Sequence, residues 1–499
     1  MSPVSDQRPG QDPDTVLAEL RRLRAADAPT HGGHVLSYVY DSGRQRLDEL
    51  AAAAADLVRP VNGLDPTVFG SVAAMERDLV GFAREAFGSA DAVGTVTSGG
   101  TESCLLAVLA AWRASGVARS RANIVAPATV HAAFLKAGDI FGIEVRRVPV
   151  DAMTTEVSAA AMADRIDDGT VLLVASAPNY PTGAVDPIAE IGAVALERGV
   201  PLHVDACLGG FALAWWPDDL LAWDLSTPGV TSLSADFHKY GYSPKGASIL
   251  LHADRDRHRA GFFATADWPG YPIVNPTLLG SRSAAGTASA WAIARYLGAD
   301  GFAGLVADIA AARDALVDTV DGIDGLRIIG RPRGPVFAVA ADPDAPTPID
   351  PHRWADEAAA RGFTLQAQPR YTQPDGVDLA ASTHVTVTPV TRRVQPELVA
   401  ALVDAADAAR GQRATPAPTA LRDLADAFGS GAVSVADALA LDSATTESVL
   451  VGAGIDPHTD PSAASDALDI GAVIAAIDVL PRPVTAKMLA EFLAAFTNP

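Results

Sequence analysis

Cysteine is nearly missing from this chain. Only Cys104 and Cys207 occur in 499 residues, with no pairing pattern, which suits a reducing cytosol and excludes a disulfide-stapled secreted scaffold. Long apolar runs are missing too. No segment approaches the ~20 uninterrupted apolar residues that span a bilayer, and the alanine-rich stretches are broken by Asp, Arg or Glu at helical spacing. The N-terminus is polar and lacks the apolar core of a signal peptide. Basic residues are outnumbered 38 to 60, for a net charge of -22, and so acidic a surface excludes a polyanionic partner such as nucleic acid. What remains is an ordinary globular composition, 49% hydrophobic and 20% charged, with room for two or three packed units. The expectation is a soluble cytoplasmic protein without an integral membrane segment.

The stretch from Ser234 to Gly246, Ser-Ala-Asp-Phe-His-Lys-Tyr-Gly-Tyr-Ser-Pro-Lys-Gly, organises the rest. Apolar runs before and after it read as strand ends, so Lys239 sits in a turn from which it can point into a cleft. Desolvation and a nearby cationic centre there would lower its pKa and leave a nucleophilic amine able to form a Schiff base. An isolated His-Lys pair is more often a surface feature, so other segments must decide.

Gly94 to Ser103 (Gly-Thr-Val-Thr-Ser-Gly-Gly-Thr-Glu-Ser) is a Gly, Ser and Thr turn that opens a strong helix. Its free N–H groups and the helix dipole would hold a phosphate, with Ser98 or Thr101 adding hydroxyls, though plain helix capping reads the same way. From Asn123 onward short apolar strands alternate with helical segments, which argues for an α/β fold with a mostly parallel sheet between helices. Functional residues gather at the carboxyl ends of such strands, and Asp205 in His-Val-Asp-Ala-Cys-Leu-Gly-Gly stands at one. His31 and His34 flank two glycines with no further ligand nearby, so they read as a loop and no metal site is expected.

By composition the chain divides into an N-terminal arm and helices (1–60), a large domain (61–294), a smaller α+β domain (295–410) and a linker with a helical extension (411–499). Residues 1 to about 13 read as a flexible arm. Short helices are expected at Ala420 to Phe428, Val435 to Leu441, Ile470 to Ile477 and Val484 to Phe496.

Four motifs carry a resemblance over roughly residues 30 to 410. Val-Thr-Ser-Gly-Gly-Thr-Glu-Ser, His-Val-Asp-Ala-Cys-Leu-Gly-Gly-Phe, Ser-Ala-Asp-Phe-His-Lys-Tyr-Gly-Tyr-Ser-Pro-Lys-Gly and Asn-Pro-Thr-Leu-Leu-Gly-Ser-Arg occur in this order. They closely resemble the sphingosine-1-phosphate lyases, group II decarboxylase-like enzymes of fold type I that use pyridoxal 5'-phosphate. The resemblance implies that Lys239 is the Schiff-base lysine. Asp205 is then the partner of the pyridine nitrogen, and His131 the ring-stacking histidine. Gly99, Gly100 and Thr101 become the phosphate cradle with His238 beside it, and Ser234 joins the cofactor set. Lys245 is implied as a second lysine for proton transfer or anion contact. Arg282 lies on a loop that in the family approaches the partner subunit's cofactor, so a homodimer with sites at the interface is expected.

The implied reaction is retro-aldol cleavage of a phosphorylated amino alcohol to an aldehyde and phosphoethanolamine. Decarboxylation of an α-amino acid on the same scaffold is the alternative. The sequence departs from the lyase pattern at Asp65, Thr182, Phe237 and Ile273, where the family carries histidine, histidine, threonine and tyrosine, and these departures are expected near the substrate. Tyr271 lies close to Ile273 in sequence. Arg370 and Tyr371 read as a surface loop.

Overall fold

The segment Thr170–Ser176 is a strand whose residues are all buried. Leu173 and Ala175 belong to one hydrophobic core, whereas Leu172 and Val174 belong to another. Alternation along the strand divides an unbroken apolar run between two faces, each of which needs its own helical cover. The first core receives Leu79, Ile188, Ile191 and Ile293 from helices, and the second receives Cys104, Leu105, Val108, Phe134 and Ala137 from the helices Gly100–Ser115 and Ala132–Phe141.

The strand is one of seven: β1 (Val93–Thr97), β2 (Asn123–Pro127), β3 (Glu144–Val148), β4 (Thr170–Ser176), β5 (Leu202–Asp205), β6 (Val230–Ala235) and β7 (Ser248–His252). Their spatial order is β1-β7-β6-β5-β4-β2-β3. Pairs among β2 to β6 are parallel, and only β7 runs against its neighbours. Being antiparallel to both β1 and β6, β7 leaves those two strands pointing the same way. Ser176 pairs with Asp205 and Asp205 with Ser234, so the carboxyl ends of β1, β4, β5 and β6 share one edge.

A second sheet is antiparallel, in the order Leu326–Ile328, Val336–Ala341, Ser382–Thr386, Gln366–Gln368. The helices Pro351–Ala360 and Thr391–Ala409 are tied by buried Trp354, whose Nε1 donates to the Leu402 carbonyl at 3.0 Å. The 37-residue helix Ala285–Asp321 is broken at Gly298, which takes φ 54° and ψ -174°, a backbone state that a residue with a Cβ seldom adopts.

This computed structural model describes residues 10–217, 220–459 and 470–498, so most of the expected N-terminal arm lies outside the described residues. The chain divides into two compact units, Thr30–Arg413 and the remainder, contributed by both ends. The smaller unit contains the helices Thr419–Gly429, Val435–Ala440, Ser443–Gly452, Ile470–Val479 and Arg482–Phe496, with Leu421, Leu450, Leu480, Val484 and Met488 in its core. It also contains Pro13–Arg24, whose N-terminus is capped by the Asp12 carboxylate and which buries none of its residues. Among the described residues no helix is long and apolar enough to cross a membrane.

Candidate active site

Four carboxyl strand ends meet around a cavity of about 390 Å³. Its walls carry Gly99, Gly100 and Thr101 after β1, Ser176 at the end of β4, Asp205 and Cys207 from β5, and Asp236, His238 and Lys239 after β6, with His131 at a helix start. Short connections leave each strand at this edge, so residues far apart in sequence become neighbours.

The turn after β6 is tightly determined. The Lys239 N–H donates to the Asp236 carbonyl at 3.2 Å and the Tyr242 N–H to that of Lys239 at 2.9 Å. A Cβ on Gly241 would lie 2.5 Å from the Phe237 carbonyl oxygen, so only glycine permits this closure. Buried Tyr240 anchors the turn by donating its hydroxyl to the Val387 carbonyl at 2.9 Å. Lys239 projects back with 21% of its side chain exposed, 2.9 Å from Asp236 Oδ2. Burial pushes the ammonium's pKa down, but the carboxylate alongside outweighs it, and Lys239 stands well above the ordinary lysine range. Asp236 behaves as the complement. Its burial works against ionisation, and Lys239 and His238 overcome this to hold it below the usual carboxylate range. The expected depressed lysine is therefore corrected to a charged lysine in an ion pair, because a carboxylate three residues earlier faces the same cavity.

His238 accepts from the Ala247 and Gly246 N–H groups through Nδ1, at 3.3 and 3.4 Å, which places its proton on Nε2, 3.4 Å from Asp236 Oδ2. His131 caps the helix Ala132–Phe141 by accepting the Ala133 N–H at Nδ1, 3.2 Å. Asp205, 6% exposed, accepts the Cys207 N–H at 3.1 Å. Under the glycine turn, Thr97 Oγ1 lies 2.7 Å from Ser103 Oγ and that oxygen 2.9 Å from Ser248 Oγ, pinning the turn to β7.

Gly100 leaves no room for a side chain, and Gly99 leaves little. A Cβ on Gly100 would lie 2.8 Å from both Asp236 oxygens and 2.9 Å from Cys207 Sγ, and one on Gly99 would lie 3.3 Å from His238 Cε1. A concave backbone at the start of a 16-residue helix, beside an imidazole and a lysine, is a donor set that fits a phosphate and an aldehyde. A buried carboxylate on the far wall suits a protonated ring nitrogen. Pyridoxal phosphate presents these three groups.

Three expected site residues lie elsewhere. Ser234 is fully buried behind the cavity, 3.1 Å from both His203 Nε2 and Cys207 Sγ. Lys245 turns away to donate to the His238 carbonyl at 3.1 Å and lies 4.5 Å from the centre of the Tyr40 ring. Partial burial and the Lys239 charge lower its pKa to about 8. Arg282 lines a separate cavity of about 550 Å³ with Asp65, Tyr271 and Ile273, pairing with Glu76 at 2.5 Å and donating to the Val96 carbonyl at 2.7 Å.

Two departures from the lyase pattern are corrected. Phe237 is 1% exposed and stacks on Phe211 with ring centres 4.6 Å apart. Thr182 bonds Thr155 Oγ1 at 2.6 Å and Asn179 Oδ1 at 3.0 Å. Neither lines the Lys239 cavity.

The cavity also contains residues the sequence reading did not single out. Glu102 accepts the Ser98 N–H at 2.6 Å and the Leu278 N–H at 2.7 Å, tying the glycine turn to the loop before Arg282. Its spacing from Ser98, one helical turn, was the available signal. Asp236, Tyr180 and Ser176 also line it.

Comparison with known proteins agrees with this geometry. The profile of the pyridoxal-dependent decarboxylase conserved domain matches residues 71–320. A sphingosine-1-phosphate lyase of Drosophila melanogaster is 36% identical over 387 residues, covering 74% of this chain and 69% of that protein. Sphingosine-1-phosphate lyase 1 of Rattus norvegicus is 35% identical over 358 residues, 70% of this chain and 61% of its own length. Among solved structures, the sphingosine-1-phosphate lyase of Burkholderia pseudomallei superposes with a TM-score of 0.73 at 32% identity, covering 85% of this chain and 95% of that one. A Lactobacillus brevis glutamate decarboxylase, at 20% identity and a TM-score of 0.71, shares the fold. The cofactor is pyridoxal 5'-phosphate, and the chain belongs to the sphingosine-1-phosphate lyase family of pyridoxal-dependent decarboxylase-like enzymes.

Proposed function

We propose that this chain is a carbon–carbon lyase that cleaves a phosphorylated long-chain amino alcohol into a fatty aldehyde and phosphoethanolamine. The observation that carries this reading is the convergence of Lys239, Asp205, His131, His238 and Gly99 to Thr101 on one cavity, in a chain of this family.

When bound, pyridoxal phosphate supplies an electron sink for the pair left by the broken bond. The chain's residues supply the rest. Lys239 Nζ would hold the cofactor, with the Asp236 carboxylate 2.9 Å away as its counter-ion. Asp205 would keep the ring nitrogen protonated. His131, oriented by the bond from the Ala133 N–H to Nδ1, would face the ring, and Gly99, Gly100, Thr101 and His238 would hold the phosphate. Lys245, hydrogen-bonded to the His238 carbonyl outside the cavity, would have to turn inward to take the substrate's hydroxyl proton and return it.

Arg282 is assigned to the neighbouring subunit's site. Exposed Trp268, Tyr271, Val274, Leu278 and Leu279, on the hairpin and loop beside it, support a homodimer. The test is product analysis after mixing cofactor-loaded protein with sphingoid-base phosphates in one pool and common α-amino acids in another. Fatty aldehyde with phosphoethanolamine supports the proposal. Carbon dioxide and an amine from the second pool, with no aldehyde from the first, overturn it.

A further inference from the structure

A buried hydrogen-bond chain runs behind the cofactor cavity. Cys207 Sγ lies 3.1 Å from Ser234 Oγ, Ser234 Oγ lies 3.1 Å from His203 Nε2, and His203 Nδ1 lies 2.9 Å from Ser232 Oγ. At the cavity end, the Cys207 N–H donates to Asp205 Oδ1 at 3.1 Å. His203 is fully buried, and burial lowers its pKa to about 4. It is therefore neutral, with one ring nitrogen donating and the other accepting.

The strengths of these groups give the chain a direction. A thiol is a weak donor and a weak acceptor, whereas an imidazole nitrogen accepts well. The favoured arrangement runs from the Cys207 S–H to Ser234, from the Ser234 O–H to His203 Nε2, and from His203 Nδ1–H to Ser232, each bond polarising the next. Burial pushes the Cys207 thiol well above its usual pKa, so it keeps its proton.

A carboxylate also lies near that thiol. The sulfurs of Cys104 and Cys207 and a carboxylate oxygen of Asp205 all lie within 4.8 Å of one another. A thiol rotated toward Asp205 would compete with the ring nitrogen for that carboxylate. Cys104 offers only a second weak acceptor.

We propose that His203 is a positioning residue: acting through Ser234, it keeps the Cys207 thiol turned away from Asp205 and so leaves that carboxylate free for the cofactor's ring nitrogen. The proposal rests on the assignment of Asp205 made above.

The test measures cofactor retention by equilibrium dialysis, and the balance of the bound cofactor's near-ultraviolet and visible bands at one fixed pH. The full chain is compared with Ser234→Ala, His203→Leu, His203→Gln and the Ser234→Ala/His203→Leu double variant. Failure of the unaltered chain to retain pyridoxal phosphate overturns the cofactor assignment, and this proposal with it. With retention established, Ser234→Ala and His203→Leu should each weaken it by about fivefold, the worth of one net hydrogen bond, and shift the band balance. The double variant should be no worse than either single one, because the groups act as a unit. His203→Gln, whose carbonyl can accept from Ser234, should recover most of the loss. Wild-type retention and bands in Ser234→Ala overturn the proposal, as do multiplying effects in the double variant. A lower melting temperature with retention unchanged overturns it too, since that marks packing alone.

Discussion

The Lys239 cavity and the Arg282 cavity lie in the same compact unit and are built by opposite means. The first is a meeting of strand ends, and its polar side chains are fixed by short bonds: Lys239 to Asp236, His131 to the Ala133 N–H, Glu102 to two backbone amides. The second is walled largely by a small hairpin (Phe263–Thr265 with Ile273–Asn275) and its flanking loops, where Tyr271 is 60% and Val274 60% exposed. Chemistry stands on the rigid sheet edge, where a displacement of 1 Å would cost rate. The second cavity is built on loops, which vary more readily than sheet edges, and Glu102 and Arg282 tie them to the first.

That division can be broken by substitution. Lys239→Ala should lower activity by about a thousandfold or more and abolish the bound cofactor's absorbance while the fold survives, read by absorbance and circular dichroism. Absorbance persisting in that variant would remove Lys239 from its role. Phe237→Ala should act on stability alone, costing about 3–5 kcal/mol in denaturant unfolding with substrate preference unchanged, because the ring packs on Phe211 and not in the cavity. A changed preference would place position 237 in recognition after all.

Asp186 tests the underside of the rigid site. Its Oδ2 accepts the Ser176 N–H at 2.7 Å, its Oδ1 has no hydrogen-bond partner among the described residues, and burial raises its pKa to about 7. A folded-state pKa raised above the unfolded value means stability present below about pH 4 and lost as pH rises through about 7. Asp186→Asn should therefore stabilise the protein by roughly 2–4 kcal/mol at pH 8 and by less at pH 5, seen as a pH-dependent gap between the melting curves. Equal gaps at both pH values would contradict the buried acid. The smallest effect is expected in the second cavity. Ile273→Tyr should shift KM by up to about tenfold, the range of one altered apolar contact, with cofactor affinity unchanged. Altered cofactor affinity would mean that the two cavities are not separable.

Much of the fold was legible because it follows from local pattern. Buried runs such as Val171 to Ser176 and glycine turns such as Ser98 to Gly100 announce strands and helix starts without tertiary information. The helix Ser443–Gly452 went unread because Ser-Ala-Thr-Thr-Glu-Ser-Val-Leu-Val-Gly carries no amphipathic period. In the site, the positions were legible and the electrostatics were not. The charge state of Lys239 depends on Asp236 in the same turn, and burial alone gives the opposite sign. Thr182 and Phe237 were misplaced for a related reason. Motif alignment locates a backbone position but cannot tell whether its side chain faces the cavity or the core.

The strand order has a consequence for synthesis. β1 is translated first of the seven strands, yet among the described residues its only ladder partner in the sheet is β7. The glycine turn that follows β1 therefore has no fixed place until the ribosome has passed His252, more than 150 residues later. A nascent chain stopped earlier can pair β2 to β6 and still have nowhere to hold a phosphate. Cofactor capture thus requires that the sheet has closed.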